Sequence, residues 1–91
     1  MITGAKYIKL ICGMGCIVTG EPAVPHHPKC FNNGYGKVSD FLAIPLAPRL
    51  HTEQDDSVHQ NKSLFEDRYG REVDLLARTI AAVADRLPKK K

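Results

Sequence analysis

Tryptophan is absent from this 91-residue chain, and three Tyr and three Phe are its only aromatic rings besides histidine. So few rings give no grounds for a surface on which unpaired bases would stack. No apolar stretch approaches the roughly 20 residues needed to cross a bilayer, which argues against a transmembrane helix. The N-terminus lacks a basic segment followed by an apolar core and a small-residue cleavage site, so no secretion is expected. Cysteine is scarce and odd in number (Cys12, Cys16, Cys30), which fits a cytoplasmic protein with reduced thiols better than a disulfide framework. The length leaves room for one small domain, taken as residues 1–88. With 43% apolar and 25% charged residues the chain has an ordinary globular composition. A domain of this size buries only about 60–65% of the surface its unfolded chain exposes, so a metal, a second copy or a ligand is expected to supplement its core.

Charge is unevenly placed. Residues 1–52 carry +3, residues 53–88 carry −3, and the 89–91 lysine tail restores +3. A basic front half and a detached basic tail suit a phosphate backbone, because each neutralised phosphate releases counterions. A solvated tail with scattered surface lysines is the plain alternative. Apart from that tail there is neither an internal repeat nor a low-complexity segment.

The expected fold class is α+β. Residues 7–12 are apolar and β-branched in part, and periodicity does not decide between strand and helix. Gly13, Gly15 and Gly20 mark a loop. Residues 23–27 are held extended because the positions before Pro25 and Pro28 avoid the helical region. A turn cluster at 32–36 precedes a second strand at 41–44, ended by Pro45, and a helix starting near Ala47 or Pro48 and running to about Ser57. Ser63 and Glu66 form a capping box for a short helix closed by Gly70. Val73, Leu76, Ala77, Ile80, Val83, Ala84 and Leu87 then form the packing face of a last helix, ended by Pro88, to which no chemistry is assigned.

Four histidines carry the chemical signal: His26 and His27 on the first strand, His51 on the helix after the second, and His59 beyond it. A hairpin folded against that helix brings the first three together. Asp55 lies four residues after His51, on the same helical face, where both reach one ion. A divalent metal held by imidazole and carboxylate, beside another imidazole free to act as base, is a hydrolytic arrangement. Neighbouring strand residues point to opposite faces, so both rings reach one site only if the flanking prolines make the strand end irregular. In the plain alternative His26 is a packed histidine and His51 a surface one. A structural zinc site from Cys12, Cys16, Cys30 and His26 or His27 has poor spacing, and inert buried thiols are favoured.

The run Cys16-Ile-Val-Thr-Gly20, the pair His26-His27, the stretch Gly34-Tyr-Gly-Lys-Val-Ser-Asp40, then Ile44-Pro-Leu46, His51, and a trailing Phe65, Tyr69, Gly70 and Asp74 together resemble the phage recombination-enhancement (Ref-like) nucleases. These belong to the HNH, or ββα-metal, endonucleases. The resemblance implies a small ββα-metal motif followed by two C-terminal helices, and a metal-dependent DNA endonuclease of phage or prophage origin acting in the bacterial cytoplasm, with DNA and recombination proteins as partners. It implies that His27 is the general base, that His26 and His51 are metal ligands with Asp55 a further one, and that Asp40 orients the base. One divalent ion, magnesium or manganese, is implied, with Lys29, Lys37 and Arg49 on the phosphate backbone. Thr19 and Ala47 stand where the family has cysteines, and Leu50 where a Cys or His usually sits. The structural zinc is therefore expected to be absent, with packing around Leu50 and the last helix in its place. The alternatives are a catalytically degenerate DNA-binding or recombination-accessory protein, and an interaction protein that docks through its last helix.

Overall fold

Two facing prolines set the register of the sheet. In the computed structural model, which describes residues 2–29 and 38–86, β1 (Val24–His26) pairs antiparallel with β2 (Ile44–Leu46), matching Val24 to Leu46, Pro25 to Pro45 and His26 to Ile44. Proline has no N–H to give, so the Pro25 and Pro45 pair is tolerated only at the position that needs no ladder bond. The Pro45 carbonyl points outward instead and accepts the Ile17 N–H at 3.0 Å. The turn cluster at 32–36, Cys30, Lys37, Leu87 and the 89–91 tail lie outside the described residues.

The architecture is α+β: this two-stranded sheet with helices packed around it, the last two at the C-terminal end. The undecided segment at 7–12 is helical, within α1 (Gly4–Gly13), where the Thr3 hydroxyl accepts the Lys6 N–H at 3.2 Å and Tyr7 and Ile11, one turn apart, turn inward. The second strand lies later than expected. The Ser39 hydroxyl accepts the Phe41 N–H and starts a 3₁₀ turn at Asp40–Leu42, so the strand begins at Ile44 and runs through Pro45. The helix expected to reach about Ser57 is only a π-helical turn, Arg49–Glu53, closed by the Gln54 N–H on the Arg49 carbonyl.

Asn61, not Ser63, caps α2 (Lys62–Tyr69), its side chain accepting the Leu64 N–H at 3.1 Å. Asparagine caps as well as serine does. Gly70, at φ +115°, ends the helix in a conformation unfavourable to other residues. Glu66 is thereby released from the expected capping box, and its carboxylate accepts the Glu72 N–H at the start of α3 (Glu72–Arg86).

The buried face of α3 is Glu72, Leu75, Leu76 and Thr79. Of the expected stripe, Leu76 is buried and Val83 packs at the edge, but Val73 and Ile80 are about half exposed, at 46% and 50%. Two polar side chains can face inward here because each is satisfied: Thr79 donates to the Leu75 carbonyl, and Glu72 is paired as described below.

The main core gathers Cys16, Ile44, Leu46, Ala47, Leu50, Val58, Phe65, Leu75 and Leu76, and a second cluster of Tyr7, Ile11 and Ala43 sits under α1. Cys12 lies against the second cluster and Cys16 in the first, so the two thiols do not share a site. Burial alone would raise the Cys16 thiol, but hydrogen bonds from Thr19 and from the Ala47, Thr19 and Val18 backbone outweigh it and lower its pKa. Among the described residues no helix is long and apolar enough to cross a membrane.

Candidate metal centre

His26 occupies the last position of β1 and turns into the protein, 2% exposed. His51 projects from the π-helical turn. Past that turn the chain doubles back, so that the Val58 N–H donates to the Leu50 carbonyl at 2.8 Å and the His59 N–H to the His51 carbonyl at 3.1 Å. This backbone pairing places His59 beside His51. The ring centroids of His26 lie 5.1 Å from those of both His51 and His59, which are 4.5 Å from each other. One ring nitrogen from each of the three lies within 4.8 Å of the others, and the Nε2 atoms of His51 and His59 are 2.9 Å apart.

The electrostatics favour neutral rings. Burial, reinforced by the neighbouring histidines His26, His59 and His27, pushes His51 down to about 4. Burial, with His26 and Lys29 nearby, also lowers His59. Neutral imidazoles offer lone pairs, which is what a metal ion requires of them. Behind His26, its Nε2 meets the Glu72 Oε2 at 2.5 Å in a setting where both side chains are almost wholly buried. Burial would raise the Glu72 carboxyl, but hydrogen bonds from His26 and from Lys62, whose Nζ is 3.0 Å away, hold it below the ordinary range. Among the described residues His26 Nδ1 is buried without a hydrogen-bond partner. An orphaned buried ring nitrogen beside two neutral imidazoles fits a divalent cation.

His27 parts from His26, as strand alternation dictates. The expectation that the prolines bring both rings into one cluster does not hold. His27 donates through Nε2 to the Asp40 Oδ1 at 2.9 Å, and both side chains are partly open to solvent. Asp40 comes from the 3₁₀ turn and lies against the first residue of α1, where a Cβ on Gly4 would meet its Oδ2 at 2.5 Å. The approach is possible because residue 4 is glycine.

The remaining expected site residues are dispersed. Asp55 is exposed and falls beyond the π-helical turn, so the helical spacing that linked it to His51 does not exist; with Gln54, Asp56, Leu64 and Arg68 it lines a separate shallow pocket. Arg49 is committed to an ion pair with Glu21 and a hydrogen bond to Gln54. Lys29 lines a small pocket with His26, Val58, His59, Lys62 and Glu72. Sequence reasoning assigned no role to His59 or Glu72. His59 was visible as a fourth clustered histidine, whereas Glu72 carried no signal, being one acid among many on a helix read as packing.

A two-stranded hairpin, a helical turn and two further helices enclosing a three-histidine centre define a small α+β protein with a candidate metal site. The chain belongs to the DUF968 family, described as a protein of unknown function, whose model matches residues 1–86. It is 32% identical over 80 residues to the uncharacterized protein YdfU of Escherichia coli (strain K12), an alignment covering 82% of this chain and 21% of that protein. The chain thus spans about a fifth of the length of that curated relative. No solved structure matches it significantly.

Proposed function

We propose that this chain is a metal-dependent DNA endonuclease of the ββα-metal type that its sequence resembles, hydrolysing phosphodiester bonds. The observation that carries the reading is the division of labour at the end of β1: His26 turns in to join His51 and His59, while the adjacent His27 turns out to Asp40. A candidate ligand set and a candidate base therefore arise from consecutive residues of one strand end.

In this reading His26, His51 and His59 hold the ion, which supplies Lewis acidity to the phosphate oxygens when bound. Three imidazoles with no carboxylate among them suit manganese or a later transition ion better than magnesium, which prefers oxygen ligands. The Asp40 carboxylate can only accept, so it holds the proton on His27 Nε2 and leaves the Nδ1 lone pair to take a proton from water. The same carboxylate then stabilises the imidazolium that results. Lys29, exposed beside His59, is the described cation best placed to meet a phosphate.

The test is a gel assay of supercoiled and single-stranded DNA in manganese, magnesium or EDTA, with His27→Ala alongside. Metal-dependent nicking that His27→Ala abolishes, with folding and metal binding retained, is the expected result. Retained cleavage in His27→Ala removes the base assignment, and binding without cleavage in every metal makes the protein a DNA-binding relative instead.

A further inference from the structure

We propose that Glu72 is a positioning residue for the metal ion: it fixes the tautomer of His26, so that Nδ1 is the nitrogen offered to the ion. The inference rests on the metal-dependent reading of the same three histidines and extends it to the first residue of α3, a helix to which the sequence assigned packing alone.

Three observations carry it. Glu72 is 3% exposed, a position at which carboxylates are rarely found without a partner. Its other oxygen, Oε1, lies 3.0 Å from the Lys62 Nζ, and a carboxylate paired with an ammonium group is an acceptor. The 2.5 Å contact therefore requires His26 Nε2 to carry the proton. A histidine ligates a metal as the singly protonated imidazole, so with Nε2 committed to Glu72 the lone pair offered to an ion is that of Nδ1, the atom that is buried and has no hydrogen-bond partner among the described residues. Leaving such a nitrogen unpaired is costly unless something else uses it.

A carboxylate behind a ligating histidine orients the ring and raises its basicity, and loss of such a partner typically weakens metal binding about 10–100-fold. A pair serving only to hold α3 against β1 would change stability on mutation without selectively changing metal affinity. If Glu72 were instead a ligand, its removal would change the coordination sphere itself.

Cobalt(II) titration of the full chain, followed by calorimetry and by visible d–d absorption, separates these cases. Glu72→Gln should bind cobalt about 10–100-fold more weakly than the unsubstituted chain, with the same band positions and intensities at saturation. Unchanged affinity overturns the proposal, and altered bands at saturation overturn it in favour of direct ligation. Imidazole ¹⁵N spectra of the unsubstituted, metal-free protein provide a check that needs no variant: the His26 proton is expected on Nε2, and a proton on Nδ1 refutes the tautomer. Thermal unfolding of metal-free Glu72→Gln establishes that it is folded, and if it is not, the ¹⁵N result decides. Neither measurement uses DNA, so failure here is separate from failure of the nuclease reading, which the cleavage assay judges.

Discussion

Replacing Leu50 with alanine probes how the corner beneath the histidines is held. Leu50 is fully buried, packed in the main core with Cys16, Ala47 and Val58, and it immediately precedes His51 in the π-helical turn. Truncation removes three carbon atoms, worth about 2.4 kcal/mol in transfer free energy at roughly 0.8 kcal/mol each. The cavity left behind adds about 1 kcal/mol if the site collapses only partly. A loss of about 3 kcal/mol is therefore expected, a large share of the roughly 5–13 kcal/mol that holds a chain of this length folded. Thermal unfolding by circular dichroism should show a fall in Tm of about 12–24 °C. Ile80→Ala is the control, since Ile80 is 50% exposed, and it should cost less than about 1 kcal/mol. A Leu50→Ala loss below about 1 kcal/mol, or one equal to that of Ile80→Ala, would show that apolar packing does not hold this corner. The Leu50 side chain also shares the core with Val58, the residue that precedes His59, so cobalt affinity should fall with stability.

Three further outcomes are expected. With chelator present, His51 stays neutral in the folded chain down to about 4 but titrates near 6.5 when unfolded, so its contribution to stability is complete above 6.5 and is lost as pH falls towards 4. Partial exposure reduces this to about 1–2 kcal/mol; denaturant melts at pH 7 and 4.5 should show it, and an equal drop in His51→Gln would refute it. Asp56, held down to about 2 by hydrogen bonds from Gln54, Tyr69 and Arg68, should contribute acid sensitivity only below about pH 4, and Asp56→Asn should flatten the melting curve in that range and not above it. Gly4→Ala should push the Asp40 carboxylate off His27 while leaving Tm within about 3 °C, because the displaced atom is a flexible side-chain end and alanine favours the helix; unchanged His27 ring ¹⁵N shifts would count against this.

Several features were legible in the sequence because they are local. Pro25 and Pro28 bracket an extended segment, Gly70 ends a helix, and the histidines stand out as clustered in one stretch. The α+β class follows from the order of these elements. What misled was helical periodicity. It joined Asp55 to His51 through a helix that stops at Glu53, and it turned Val73 and Ile80 inward where α3 instead buries Leu75 and Thr79.

The sequence alone determined which segments are extended, where chain direction can change, and that imidazoles are concentrated before and after the second strand. Only the tertiary structure decided which imidazoles meet. His59 joins His51 through backbone hydrogen bonds formed after the chain doubles back, and Glu72 reaches His26 across 46 residues of sequence. A buried carboxylate can be recognised only when its partners are known, because the cost of burying its charge is offset by groups distant in the chain. For that reason the residue that holds His26 in place had no signature until the helix that carries it was seen against the strand.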